Sequence, residues 1–418
     1  MTAALPEEKV VVAQKPARLV GLDGLRGILA LCIIITHVTG ALSPKVLAET
    51  RVDLLGQGVV VFFALSGFLI YRPFMSRIID GRPQPRLSQY ARLRVFRIFP
   101  AYLVIFLVAN FALHAVFLTN AVVSSQPRTD DGTGVITAPL NLLAQLTLVQ
   151  NYIPQLLQTG INASWTLTAE IAFYALLPFV SRGAARLRTR TPAHPYRAAL
   201  IPALVLVGVG VVTRIVLTAV AVAHPALTLD DLEWGPTGFA VLSRSILTWC
   251  DAFGLGMIAA VIIAAVRAGV LTRIGRLSVR QAALIAFVIG LLGAAAGILT
   301  FEKFIGTAVG FSALALIVLL IAPTPTRDIP RLSRVVDWAP LRYLGTISLS
   351  IYLWHYPVLL VFTRLHLEGQ DVLAGAAWNF IAISVITVTL ASVTYWLIER
   401  PALTWRPRSE RAEAGFSA

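Results

Sequence analysis

The chain has 418 residues, of which 57% are hydrophobic and 13% charged, and its mean hydropathy is +0.77. A soluble domain is nearer half apolar and a quarter charged, so these values exclude a single soluble domain, a disordered chain and a disulfide scaffold. The formal charge of +14 raises nucleic acid as a partner, but its distribution reads as orientation in a lipid bilayer, and no nucleic acid is expected.

Ten apolar segments of membrane length follow one another at about 27–44, 54–71, 96–118, 166–181, 199–223, 245–266, 279–300, 304–323, 343–363 and 375–398. Alternate connections carry 28 of the 35 Lys and Arg. The positive-inside rule therefore predicts an all-α polytopic membrane protein with ten transmembrane helices and both termini cytoplasmic, multi-pass in the inner (cytoplasmic) membrane. Residues 1–19 and 402–418 are expected to be cytoplasmic tails flanking a membrane domain over 20–401. Glu7, Glu8 and Pro16 interrupt the first 20 residues, which are not read as a cleavable signal. The longest outer loop runs over 119–165. It reads as irregular from Ser124 to Gly134, and the apolar stretch Asn141–Tyr152, too short to span, as an interfacial or re-entrant helix. Cys32 and Cys250 both fall in spans and read as small buried residues. No internal repeat is visible, which speaks against an inverted-repeat transporter.

Ionisable residues inside spans are costly and by default mark a function. Here they are His37, Glu170, Arg214, Asp251 and His355. At 1.5 Å per residue, His37 lies about 16 Å beyond Arg26 and His355 about 20 Å beyond Arg342. Glu170 and Asp251 lie about 7 and 10 Å below the outer surface. Two imidazoles and two carboxylates in the middle to outer half of a bilayer are the ingredients of a general-base site. Arg26 and His37, eleven residues apart, share a helix face, and Asp23 is placed to cap that helix and pair with Arg26. Arg94 and Arg97 share a face at i,i+3 and make a fork for phosphates. Thr166, Glu170 and Tyr174 line one face, with Glu170 expected to orient a histidine. Ser348, Tyr352 and His355 line another, and Pro357 is expected to disturb the helix just beyond. Asp251 reads as a partner for Arg244 two turns away, and Arg214 as reaching the outer interface. Plainer readings stand beside these: Arg26 as a snorkelling anchor, Arg94 and Arg97 as topological charge, His37 as a packing residue, His355 as an interhelical hydrogen bond. No two candidate ligands share a helix at short spacing, so no metal is expected.

These residues sit in recognisable blocks. Leu22-Asp23-Gly24-Leu25-Arg26-Gly27 followed by His37 resembles the opening of the membrane acyltransferase family 3. Gly58–Ile70, Arg94–Tyr102 with its Arg-x-x-Arg element, Ser164–Tyr174, Gly345–Pro357 and the closing Glu399-Arg400-Pro401 are similar to further blocks of that family, in family order. The resemblance implies a stand-alone ten-helix acyltransferase without an SGNH domain, taking an acyl group, usually acetyl, from acyl-CoA as co-substrate. It implies essential roles for Arg26, His37, Arg94 and Arg97.

Both readings join in one expected mechanism. Arg26, Arg94 and Arg97 bind the donor's phosphates at the cytoplasmic mouth, and the pantetheine arm passes Ser66 and Gly67. His37 is the general base, with Glu170 as its catalytic partner. His355, Tyr352, Asp251 and Trp165 bind the acceptor, a hydroxyl of an envelope polysaccharide or glycolipid. Direct transfer and a transient acyl-histidine are both compatible with these residues. The alternative is a proton-coupled secondary transporter in which His37, Glu170, Asp251 and His355 form a relay. The residues set neither the acceptor's identity nor an oligomeric state.

Overall fold

A computed structural model describes residues 18–124, 126–190, 194–225, 228, 232–299, 304–324 and 329–405. Most of the two expected tails, together with Ser409, lies outside these described residues. The main helices are α1 (Leu22–Leu42), α2 (Gly58–Asp80), α3 (Leu87–Leu107), α4 (Trp165–Arg190), α5 (Pro195–Ala223), α6 (Ile246–Arg267), α7 (Val279–Leu299), α8 (Ile305–Ile321), α9 (Ala339–Thr346), α10 (Ser348–Arg364) and α11 (Leu373–Thr394). Every apolar segment read from the sequence falls on a helix, and the chain is an all-α polytopic membrane protein. Among the described residues eight helices are long and apolar enough to cross a membrane, or nine if the bent pair α9–α10 is one span. The difference from the expected ten is α8, which has only 17 described residues.

Burial sorts centre from edge. In α6 72% of the most apolar window is buried, against 22% in α7 and in α11. α6 is apolar all round and packs on α2, α5 and α8, as a helix enclosed by others must. Small residues let it approach them. A Cβ on Gly67 of α2 would sit 2.1 Å from the Phe253 carbonyl oxygen, and one on Gly256 of α6 would sit 1.8 Å from that of Ala64. Without water to drive association, this close backbone packing is what holds membrane helices together. Gly67 is thus spent on the α2–α6 crossing, while its neighbour Ser66 faces elsewhere.

The opening block of the chain does similar work. Gly24 and Gly27 face the carbonyl oxygens of Val336 and Leu341, where a Cβ would lie 1.8 and 2.1 Å away, and Gly345 faces that of Asp23. α1 is thereby locked against the segment 331–346. Its N-terminus is capped from that segment too: the Gly21 N–H donates to Asp337 Oδ1 at 3.1 Å, and Arg18 pairs with the same carboxylate. The expected cap from Asp23 does not form, because Asp337 already occupies that position.

Two further expectations change. α10 runs unbroken through Pro357, and the bend of 75° falls instead at Ile347, between α9 and α10. The interruption expected after His355 therefore lies before Ser348, while a proline inside a membrane helix is tolerated when its surroundings re-satisfy the backbone. The short outer helix is Pro139–Leu146, followed by a 3₁₀ turn at Gln150–Tyr152. Its connection is tied down: Val116–Phe117 pairs antiparallel with Thr133–Gly134, and the Arg364 Nε donates to Asp130 Oδ2 at 2.6 Å. Tyr102 Oη donates to the Gln145 carbonyl at 2.7 Å.

Candidate active site

α1, α2, α3, α4 and α10 converge on one cavity of about 150 Å³ that opens to solvent. Its polar wall is Arg26, Ser66, Arg94, Arg97, Thr166, Glu170, Tyr174, Ser348 and Tyr352. Phe62, Phe63, Leu65 and Leu69 supply apolar wall between them. A cavity that is mostly apolar with a few convergent polar groups is the usual form of a small-molecule site.

The charges are arranged in a definite way. Glu170 Oε1 accepts from Ser66 Oγ at 2.9 Å and from Tyr174 Oη at 2.5 Å. Arg94 lies over the rings of Tyr90 and Tyr174, 5.8 and 5.6 Å from their centroids. Arg97 faces Glu399 at 3.7 Å, and that carboxylate, only 2% exposed, also accepts from the Ser350 hydroxyl. Arg26 is near Arg97 and also near the carboxylates of Asp23 and Glu170. Three guanidiniums thus share one wall, with Asp23, Glu170 and Glu399 close to them. Arg94 Nε and Ser348 Oγ are buried and have no hydrogen-bond partner among the described residues. Both belong to residues of the cavity wall, where a bound molecule or water can reach such groups.

The two intramembrane histidines form a second unit, beside the cavity. His37 Nδ1 lies 2.8 Å from His355 Nε2, and His355 Nδ1 lies 2.7 Å from the Tyr352 carbonyl oxygen. Tyr356 packs against both rings. The cavity wall includes Tyr352, whose hydroxyl donates to the Ala163 carbonyl and meets Thr166. His355 stands three residues further along α10, about one turn. Tyr352 thus lines the cavity and also bonds His355 through its carbonyl oxygen.

The remaining expected residues lie apart. Glu170 bonds to Ser66 and Tyr174 and to neither histidine. Asp251 is fully buried in an ion pair with Arg214, at 2.8 and 3.3 Å, and also accepts from Thr307. The expected Asp251–Arg244 pair does not form. Arg244 pairs with Glu233 at 3.0 Å and lies over Trp234 and Trp165. A residue this enclosed offers nothing to a substrate, so Asp251 reads as scaffold. His355, also fully buried, touches His37 and leaves no surface for an acceptor. Trp165 is only 7% exposed, among Phe63, Trp234 and Trp249. The four groups of the relay alternative thus fall into three separate clusters.

The acyltransferase domain family matches residues 19–396. The chain belongs to acyltransferase family 3. Relatives in this family include the O-acetyltransferase OatA of Staphylococcus aureus (strain NCTC 8325 / PS 47), 24% identical over 403 residues, 92% of this chain and 57% of that protein. The putative peptidoglycan O-acetyltransferase YrhL of Bacillus subtilis (strain 168) is 40% identical over 78 residues, 19% of this chain and 12% of its own. The peptidoglycan O-acetyltransferase OatA of Listeria monocytogenes serovar 1/2a (strain ATCC BAA-679 / EGD-e) is 28% identical over 92 residues, 22% of this chain and 14% of that one. The chain thus spans little more than half the length of the Staphylococcus aureus relative. No solved structure gives a significant match.

Within this family fold, three participants were not singled out from sequence. Glu399 sits in a block carried only by resemblance, and its meeting with Arg97 depends on how α11's end packs on α3. Tyr90 stands four residues before Arg94 on α3, the spacing that puts both on one helix face, and that signal could have found it. Tyr356 follows no spacing rule that ties it to His37, which lies on another helix.

Proposed function

We propose that this protein transfers an acyl group, acetyl by its relatives' printed activities, from cytoplasmic acyl-CoA to a hydroxyl of an envelope glycan or glycolipid, in the cytoplasmic membrane. The observation that carries this reading is the cavity whose wall holds Arg26, Arg94 and Arg97 together with Tyr352, whose carbonyl oxygen bonds His355 of the His37–His355 pair. Guanidinium groups recognise phosphate oxygens bidentately, and the unpartnered Arg94 Nε and Ser348 Oγ add donors along the way. The apolar wall beside Ser66 suits the pantetheine arm. Glu170, held by Ser66 and Tyr174, orients the cavity's own hydroxyls instead of the histidine.

In the transfer, His37 takes the proton of the acceptor hydroxyl as its oxygen attacks the thioester carbon. The C–S bond breaks and the proton passes from His37 to the leaving thiolate, giving an ester and free coenzyme A thiol. The test is purified protein in liposomes with acetyl-CoA and soluble glycan fragments, following thiol release and the ester by mass spectrometry. Wild type should release thiol and form ester in equal amounts. His37→Ala and His37→Gln should both abolish transfer while donor binding stays intact, since Gln hydrogen-bonds but takes no proton at neutral pH. Near-normal turnover in His37→Gln would overturn the base assignment. Absence of new ester in both the glycans and the glycolipids of cells carrying active protein would overturn the acceptor class.

A further inference from the structure

We propose that His355 is a positioning residue: its hydrogen bond sets His37 in the tautomer that carries its proton on Nδ1 and leaves Nε2 bare to take a proton. This rests on the reading of His37 as the base and adds which nitrogen acts and what holds it ready.

The direction of the chain of hydrogen bonds follows from one fixed point. The Tyr352 carbonyl oxygen can only accept, so His355 Nδ1, at 2.7 Å, is the nitrogen that carries a proton. His355 is fully buried, and its ring contacts are His37, Tyr352 and Tyr356, with no carboxylate among them. A second proton on that ring would be a buried charge without compensation, so the ring holds one proton and its Nε2 is a lone pair. The nitrogen opposite, His37 Nδ1 at 2.8 Å, must then be the donor. The rings are arranged for it: their planes lie within 10° and their centroids 5.0 Å apart. With the facing nitrogens 2.8 Å apart, this separation places the rings edge to edge and nearly coplanar, as a straight N–H···N bond requires. His37 uses its single neutral-state proton on Nδ1, and Nε2 is left as the acceptor. Backbone carbonyl, orienting imidazole and working imidazole thus form a line in which the second histidine takes the place a carboxylate holds in hydrolase triads. The arrangement costs no buried negative charge, which suits a site in hydrocarbon.

The test uses full-length protein labelled with ¹⁵N-histidine, whose nitrogen shifts separate protonated from bare ring positions; there are six histidines, and His37 is assigned by its loss in His37→Ala. Wild type should show His37 with protonated Nδ1 and bare Nε2. His355→Gln places a carboxamide oxygen where Nε2 was, so it should keep that tautomer and most of the turnover. His355→Leu fills the volume but accepts nothing. It should release His37 into a mixture of tautomers and lower kcat by about 10²-fold or more, with KM for acyl-CoA unchanged. A protonated Nε2 on His37 in wild type overturns the inference, as does a His355→Leu protein that turns over as well as His355→Gln. Loss in both variants, with the tautomer kept in Gln, also overturns it and makes His355 itself a proton carrier. The spectrum needs no acyl transfer, so failure of the function proposed above, seen as inactive wild type, is told apart from failure of the tautomer assignment.

Discussion

Replacing Arg214 by Met would strip Asp251 of the cation that neutralises it. The carboxylate is fully buried and the guanidinium 4% exposed, joined by two hydrogen bonds at 2.8 and 3.3 Å. After the substitution Asp251 keeps only the Thr307 hydroxyl and the Ala252 N–H. Breaking one side of such a buried pair costs about 3–5 kcal/mol, because the desolvated charge that remains is uncompensated. Against a total stability of about 5–15 kcal/mol that is a large fraction, and the variant should be folded but marginal. Replacing both members, as Arg214→Met with Asp251→Leu, removes the stranded charge and should recover about 2 kcal/mol or more of the loss. Denaturant titration in mild detergent, read by tryptophan fluorescence, measures both, and acyl transfer per folded molecule should equal wild type in the double variant. Unchanged stability in Arg214→Met, or a double variant less stable than the single, would refute the energetic reasoning. A stable double variant without activity would return Asp251 to the functional site.

Arg97→Ala should weaken coenzyme A binding about tenfold or more, from the loss of a charge-assisted contact of about 1.5–3 kcal/mol, with Lys restoring little because it lacks the planar fork; normal binding by titration calorimetry would remove Arg97 from the donor site. The same variant should also lose stability, since Glu399 at 2% exposure then lacks its facing cation. Gly27→Ala should cost about 1–3 kcal/mol or more, because its Cβ would stand 2.1 Å from the Leu341 carbonyl oxygen; a thermal midpoint equal to wild type would refute the close α1–α9 packing. In a cysteine-free background, a Cys at Ser124 should react with an impermeant maleimide added outside the cell and one at Ser409 should not, and the reverse pattern would overturn the orientation.

The order of the apolar segments, their helical nature and the membrane setting were legible from the chain alone, because hydrophobic length is a local property that the bilayer reads directly; the expected count of ten was not reached, since one helix has only 17 described residues. The polar positions on α1, α3, α4 and α10 were legible as well: helical periodicity put Thr166, Glu170 and Tyr174 on one face, and all three line the cavity. Spacing within a helix says which residues share a face, but not what that face meets. Only tertiary packing decided that Glu170 bonds Ser66 across the α2–α4 contact, that Asp251 takes Arg214 in place of the nearer Arg244, and that Asp337, far along the chain, caps α1. It also decided that the bend precedes α10 and leaves Pro357 inside a continuous helix. The pairing of His37 with His355 is the clearest case. Depth arithmetic brought both to the same half of the bilayer, yet a hydrogen bond 2.8 Å long is set by the rotation and tilt of two helices, which no single-helix pattern contains.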